Sequence, residues 1–414
     1  MSRYTYRGGE LHVEAVSLSR IANEVGTPCY VYSRAALTEA YTSFSAAFHG
    51  RDHLVCYAVK ANSSLAILDL FGRLGSGFDI VSGGELGRVL AAGGAPEKVV
   101  FSGVGKSEQE IRAALAAGIL CFNVESESEL ARIDRIAGEM GKVAPVSLRI
   151  NPDVDAGTHP YIATGLRQNK FGIPYTEAVS LYERARRLPN VTIEGIDCHI
   201  GSQLTELAPI GEALSKIAEL VERLRRLGIP IRHVDVGGGL GIRYRDEAPP
   251  AITAYARAVA TAFPDPSLKL LFEPGRLLVG SAGLLLTRVE YLKAGEDRNF
   301  AIVDAAMNDL IRPALYDAWH EVLPVREGGD ADTYDIVGPV CETGDFLARS
   351  RRLAVREGDL LAVMSAGAYG MSMASNYNSR PRAAEVMVDA DATYVIRSRE
   401  EARDLIARER RLPA

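Results

Sequence analysis

Eight short apolar runs, separated by stretches of helical periodicity, constrain the fold of this chain more than any other feature. The runs lie at 54–58, 78–81, 99–102, 120–124, 146–150, 193–197, 233–236 and 268–272. Between them, residues 108–117, 127–137, 176–186 and 207–227 bring apolar side chains round every three or four positions, the pattern of an amphipathic helix. Strands alternating with helices imply a parallel sheet. Eight of them favour closure into a (β/α)8 TIM barrel over an open doubly wound sheet. The expected class is therefore α/β. No residues match from one unit to the next, so the repeat is structural only.

After Glu273-Pro274-Gly275-Arg276 the pattern changes. Strand-like runs at 284–291, 300–303, 334–337, 360–364 and 385–388 alternate with turns, and two helices stand out. One starts at Pro313, a favoured first helical position. The other follows Ser398, which forms a capping-box pattern with Glu401. At the other end, residues 10–33 read as strands around a helical piece, and a helix is expected over 34–48. The boundary falls near 276. Residues 34–276 make the barrel, and 1–33 with 277–414 make a mainly antiparallel β domain. A loop at 151–173, rich in Gly, Pro, Asn and Asp, parts the fifth strand from its helix, and loops of that length are usually functional or disordered.

A chain of 414 residues exceeds one ordinary core, in keeping with a large barrel plus a second domain. Its net charge of -6 argues against a nucleic-acid surface. The five cysteines are scattered and odd in number, which indicates neither a disulfide framework nor a zinc site; no metal is expected. Neither a signal core nor a run long enough to span a bilayer is present, the longest apolar run being 277–286, so a cytoplasmic protein with no membrane partner is expected.

Two phosphate motifs fail on their spacing. Gly105-Lys106-Ser107 resembles the end of a Walker A loop, but Val100 stands where its first glycine belongs. Gly237-Gly238-Gly239-Leu240-Gly241 follows a strand, but Ile242 replaces the last glycine of a dinucleotide fingerprint. What remains is a glycine turn at a strand end, which either packs tightly or lets backbone N–H groups approach an anion.

Position carries more than motif. Functional groups of a barrel come from the carboxyl ends of its strands. Those ends here carry Lys60, Asp79, Arg149, His199 with Ser202, Gly237 to Gly239, and Glu273 with Gly275 and Arg276. Each has a bland reading: a solvated lysine, a core histidine, a Glu273–Arg276 ion pair. On one rim, however, a lysine, an imidazole, a carboxylate and an anion-binding turn are the parts needed to hold pyridoxal 5'-phosphate. Lys60 follows the apolar run Cys56-Tyr57-Ala58-Val59, and an ammonium in an apolar surround deprotonates more readily, as a Schiff-base nucleophile must. The β domain adds Cys341 with Glu342, a candidate acid in a turn-rich stretch. It also adds Arg312, held extended by Pro313, with Tyr316 at a helix start, both suited to a carboxylate.

Together these motifs resemble the diaminopimelate decarboxylase family of the alanine-racemase-like (fold type III) pyridoxal-phosphate enzymes. The resemblance runs through Gly-Thr-Pro at 26–28, Tyr-Ala-Val-Lys-Ala-Asn at 57–62, Phe-Asp-Ile-Val-Ser-Gly-Gly-Glu at 78–85, Arg-Ile-Asn-Pro at 149–152 and Lys-Phe-Gly-Ile at 170–173. It continues through His-Ile-Gly-Ser-Gln at 199–203, Gly-Gly-Gly-Leu-Gly-Ile at 237–242, Glu-Pro-Gly-Arg at 273–276, Arg-Pro-Ala-Leu-Tyr at 312–316, Cys-Glu-Thr-Gly-Asp at 341–345 and Asn-Tyr-Asn-Ser-Arg at 376–380. It implies that Lys60 forms the imine with the cofactor, that His199 stacks on its ring and that Glu273 faces the pyridine nitrogen. Ser202, Gly238, Gly239, Gly275, Arg276 and Tyr369 would lie near the phosphate, with Asp79 and Arg149 supporting the lysine and the ring hydroxyl. It also implies a head-to-tail homodimer in which Cys341 and Glu342 reach the partner's barrel.

The reaction implied is loss of the carboxylate at the D-configured centre of meso-diaminopimelate, giving L-lysine and carbon dioxide, with Cys341 returning the proton. The substrate's distal end carries an ammonium and a carboxylate. Arg276, Arg312 and Tyr316 suit the carboxylate, Glu342 suits the ammonium, and Tyr369 adjoins both substrate and cofactor. The alternatives are a decarboxylase of ornithine or arginine, a non-catalytic cofactor-binding homologue, and a racemase on the same barrel.

Overall fold

The structure, a computed structural model, describes residues 3–155, 164–165 and 169–413. It divides into two compact units, one of Ala40–Arg243 and Glu247–Leu277, the other of Met1–Glu39, Tyr244–Asp246 and Leu278–Ala414.

The first unit is a closed barrel of eight parallel strands: β1 (His53–Ala58), β2 (Gly77–Ile80), β3 (Val99–Phe101), β4 (Cys121–Val124), β5 (Ala144–Asn151), β6 (Val191–Asp197), β7 (His233–Asp235) and β8 (Lys269–Phe272). Each pairs with the next, and β8 returns to β1, as the eight apolar runs predict. A two-residue strand, Ile173–Pro174, adds itself to the end of β5. Of the loop expected at 151–173, residues 156–163 and 166–168 lie outside the described residues.

Helix starts are written locally. Ser82, Ser107 and Ser126 each accept a hydrogen bond from the backbone N–H three residues on, and Glu110 completes a capping box with Ser107. Register places the functional side chains. Ala58 stands beside Asp79, Asn123 beside Ser147, Arg149 beside Asp197, and Asp197 beside Asp235. In-register neighbours share one face of a sheet, so Arg149, Asp197 and Asp235 form one row across three strands.

In the second unit a seven-strand path runs Phe346–Leu353, Asp332–Val337, Asn299–Val303, Gly283–Lys293, Cys29–Ser33, Ala384–Asp389 and Ala392–Arg397. Most pairings are antiparallel. Cys29–Ser33, from the amino-terminal segment, lies centrally, antiparallel to Gly283–Lys293 and parallel to Ala384–Asp389. Leu11, Val13, Leu18, Ile21, Val31, Leu284 and Val386 are buried in one core, so distant parts of the sequence share one apolar interior.

Several local expectations are corrected. The last helix is Ala402–Ile406, capped by Glu401 with Asp404 rather than by Ser398. Glu400 accepts from Asn376 at 2.7 Å and from the Arg382 backbone at 3.0 Å, which ties down the chain before a helix can begin. Arg312 is not extended before Pro313. Ile311 is already in the right-handed helical region, and Leu310 bonds back to Ala306, so Arg312 opens the helix Arg312–Tyr316. Phe346–Leu353 was not foreseen as a strand because three arginines interrupt it, a composition that an edge strand tolerates. Among the described residues, no helix is long and apolar enough to cross a membrane.

Candidate active site

At the mouth of the barrel, the turn Val59–Ala61 after β1 presents Lys60, whose Nζ donates to Asp79 Oδ2 at 2.5 Å. Asp79 is wholly buried, whereas the lysine side chain keeps 35% of its exposure. Val59 and Ala61 are apolar and buried, but the ammonium itself meets a carboxylate. This corrects the expectation of an apolar surround, because an adjacent opposite charge favours the charged amine.

Below it lies a carboxyl cluster. One oxygen each of Asp197, Asp235 and Glu273 falls within a common 4.8 Å, and all three residues are buried. Carboxylates this close in a dry interior cannot all ionise. Burial, then the charges of Asp235, Asp79 and Asp197, push Glu273 well above the usual carboxylate range. Burial, then Asp235, does the same to Asp197, while burial raises Asp235 to about 6 against the hydrogen bond it receives from Gly237 N–H. Glu273 is therefore a carboxyl whose protonated form is favoured by its surroundings. Ser102 donates to its Oε1 at 3.3 Å and Asn123 at 3.2 Å, which fixes its orientation.

His199 is half-buried at this rim. Gly238 N–H donates to its Nδ1 at 3.1 Å, so the proton of the ring sits on Nε2. Burial, reinforced by Arg149 and Lys60, lowers its pKa well below the usual value. The result is a flat, uncharged imidazole. Arg149 is held by Glu125 Oε1 at 3.1 Å and lies 3.8 Å from Asp197, while Glu125 also accepts from the Gly103 and Gly172 backbones.

The glycine turn has a packing reason in addition to any anion. A Cβ on Gly238 would overlap the Glu273 carbonyl oxygen, and one on Gly239, at φ +104, would overlap the Gly201 carbonyl oxygen. Only glycine lets the ends of β6, β7 and β8 approach this closely. Gly275 lies over Ala58 and Ala61, where a Cβ would meet both methyl groups at 3.1 and 3.0 Å. Arg276, buried, donates to Ser202 Oγ at 3.3 Å.

Lys60, Asp79, Arg149, His199, Ser202, Gly238, Gly239, Glu273, Gly275 and Arg276 thus all belong to the barrel unit. Arg312, Tyr316, Cys341, Glu342 and Tyr369 belong to the other. There Arg312 is buried against His320 and the Tyr244 ring, and Tyr316 closes its helix. Cys341 is exposed on a turn whose backbone N–H donates to Asn378 at 3.1 Å, and Glu342 hydrogen-bonds Tyr377, raising the phenol pKa. Tyr369 adopts φ 54. Sequence reasoning missed Ser102, Asn123, Glu125, Asp197 and Asp235. Their signal was present: Asp197 and Asp235 lie two residues before His199 and Gly237, on the same alternating face.

Residues 34–280 match the family model described as the pyridoxal binding domain of pyridoxal-dependent decarboxylases. Over 415 residues, all of both chains, the sequence is 59% identical to the diaminopimelate decarboxylase of Pseudomonas fluorescens. The solved diaminopimelate decarboxylase of Helicobacter pylori complexed with L-lysine is 44% identical, covers 94% of this chain and 98% of its own, and superposes with a TM-score of 0.91. The solved diaminopimelate decarboxylase of M. jannaschii in co-complex with L-lysine is 38% identical, covers 99% of this chain and 98% of its own, and has a TM-score of 0.95. On the strength of a family model spanning the barrel and relatives matched from end to end, this chain belongs to the diaminopimelate decarboxylase family of pyridoxal-dependent decarboxylases.

Proposed function

We propose that this protein removes carbon dioxide from meso-2,6-diaminopimelate to give L-lysine, the last step of lysine biosynthesis, with pyridoxal 5'-phosphate as cofactor. The observation that carries the substrate is the 59% identity, over the whole length, to an enzyme of that name.

The residues at the barrel mouth fit the cofactor. Asp79 Oδ1 and both oxygens of Asp197 are buried without a hydrogen-bond partner among the described residues, a polar lining that suits a polar guest. Burial and the neighbouring carboxylates favour the protonated form of Glu273, which suits a basic ring nitrogen. Lys60, Asp79, Arg149, His199, Ser202, Gly238, Gly239, Glu273, Gly275 and Arg276 would hold it, with Tyr369 from the β unit. When bound, pyridoxal phosphate supplies an aldehyde that joins an amine and a ring that accepts the electron pair left as carbon dioxide departs.

The chain's own residues do the rest. Asp79 aims the Lys60 amine. His199 offers a flat neutral face, and its charge stays off because burial and two neighbouring cations oppose protonation. Glu273 is held in place by Ser102 and Asn123, and its surroundings favour the protonated carboxyl. Cys341 returns a proton to the α-carbon, a task that its exposed position on a turn supports. Arg276, Arg312 and Tyr316 take the distal carboxylate, and Glu342 the distal ammonium. Ornithine and arginine end in a cation alone, which two arginines repel. Two copies would pair head to tail so that Cys341 and Glu342 serve the partner's barrel. A cytoplasmic location agrees with five unpaired cysteines, four of them buried.

The test is carbon dioxide release from meso-diaminopimelate, ornithine and arginine with added pyridoxal phosphate. Release from diaminopimelate alone is expected. Release only from ornithine or arginine would overturn the substrate, and no release from any would return the chain to a cofactor-binding role.

A further inference from the structure

The turn Asn376-Tyr377-Asn378-Ser379-Arg380 of the β unit has an unusual backbone. Asn378 and Ser379 both lie in the left-handed region at φ 55, which is unfavourable for residues other than glycine and persists only where neighbours impose it. Arg380 supplies part of that hold: its Nε donates to Asn308 Oδ1 at 3.1 Å and its Nη2 to the Asp304 carbonyl at 2.5 Å. Asn308, which is buried, donates from Nδ2 to the Ser375 carbonyl at 3.3 Å, and its own carbonyl accepts from the Ser375 N–H at 2.9 Å. Both ends of the turn are thus tied to the segment 304–308.

This backbone delivers one side chain to a second turn. Asn378 Oδ1 lies 3.1 Å from the Cys341 backbone nitrogen, and because an N–H can only donate, the amide oxygen is the atom that faces it. The Cys341 turn is fixed on its other side by Asp345, also buried, whose two oxygens accept from Met307 N–H at 2.6 Å and from Val340 N–H at 2.7 Å. Asp345 N–H closes the turn onto the Glu342 carbonyl at 3.0 Å. Beside Asn378, Tyr377 hydrogen-bonds the Glu342 side chain. Two successive residues of one turn therefore hold two successive residues of the other, and both turns are anchored on 304–308. A cysteine sulfur is one rotatable bond from the main chain, so the path of the Cys341 backbone sets where its exposed thiol can point.

We propose that Asn378 is a positioning residue for the proton donor: it pins the Cys341 backbone, so that the thiol delivers its proton to one face of the carbon that has lost carbon dioxide. This rests on the reading of Cys341 as the residue that returns the proton.

The experiment runs the holoenzyme on meso-diaminopimelate in heavy water, where that carbon receives one deuteron and becomes a stereocentre of the lysine formed. A thiol held on one side labels one configuration, whereas water taking the place of a displaced thiol has no fixed direction. Asn378→Gly removes the acceptor yet suits the left-handed backbone, and Asn378→Asp keeps both. Asn378→Gly should lower kcat about tenfold, leave KM within about twofold and mix the two configurations, because misplacing a reacting group acts on the chemical step. Asn378→Asp should keep kcat within about threefold and a single configuration. Cys341→Ala should lower kcat on the order of 100-fold. On the apoprotein, hydrogen exchange of the Cys341 amide should speed up about tenfold in Asn378→Gly. A Cys341→Ala variant with parent kcat and configuration would overturn the donor reading. A damaged Cys341→Ala beside an Asn378→Gly with parent kcat and a single configuration would overturn the role of Asn378. Should Asn378→Gly fail to fold, exchange of the parent Cys341 amide decides: the rate of an unprotected amide would overturn the contact, and slow exchange would uphold it.

Discussion

Replacing Lys106 with methionine tests what the misleading Gly-Lys-Ser triplet is for. Its Nζ donates to Glu129 Oε1 at 2.7 Å, to the Asn123 carbonyl at 2.7 Å and to the Gly103 carbonyl at 2.8 Å. The Lys106 side chain is 1% exposed and that of Glu129 8%, so water cannot replace the ammonium. Removing one partner of a buried pair leaves an uncompensated charge, which costs about 3–5 kcal/mol. That is a large share of the roughly 5–15 kcal/mol that stabilises a domain. Urea unfolding of the apoprotein, followed by far-ultraviolet circular dichroism, is the appropriate assay. Fluorescence is not, because the single tryptophan, Trp319, belongs to the other unit. Adding Glu129→Gln removes the orphaned charge while keeping an acceptor for the Glu125 N–H at 2.8 Å, and should restore about half the loss. The pH dependence has a definite sign. Burial already raises the Glu129 pKa against the pull of Lys106, and without Lys106 it rises further. A folded-state carboxyl that binds its proton more tightly than the unfolded chain loses stability as pH rises. Lys106→Met should therefore be least damaging near pH 5 and most damaging above neutrality. A loss under about 1 kcal/mol, the same at both pH values, would refute the buried-pair argument.

Two further perturbations probe the mouth itself. Gly238→Ala drives a methyl group into the Glu273 carbonyl oxygen, so it should unfold or displace the ends of β7 and β8, at about 3 kcal/mol or more, and abolish cofactor absorbance; a fully stable, coloured variant would contradict the packing. Asp235→Asn acts on proton linkage. With its pKa raised to about 6 by burial, Asp235 binds its proton roughly a hundredfold more tightly when folded, so the apoprotein should lose on the order of 3 kcal/mol as pH rises from about 4 through 6. Asparagine, which does not titrate, should flatten that slope, and an unchanged slope in urea titrations across the window would assign it elsewhere.

The sequence alone determined the barrel, because its evidence is local. Strand and helix periods repeat within ten residues, and the serine caps before Gly83, Glu108 and Glu127 are written beside the helices they start. The same locality made Lys60, His199, the glycine turn and Glu273 legible, since the end of a barrel strand is itself a local position. What the neighbours of those residues do was decided only in three dimensions. Whether Lys60 meets apolar side chains or Asp79, which way the Glu273 pKa moves, and whether Lys106 binds phosphate or Glu129 each depend on strands far apart in the chain and brought into register. The capping residue near 400 and the helical start at Arg312 went the same way, because tertiary contacts overrode a local pattern. Charge and protonation are set by what surrounds a group within a few ångströms. That surrounding is assembled by folding, so a residue's identity was readable from the sequence, but its electrostatic state came from the tertiary structure.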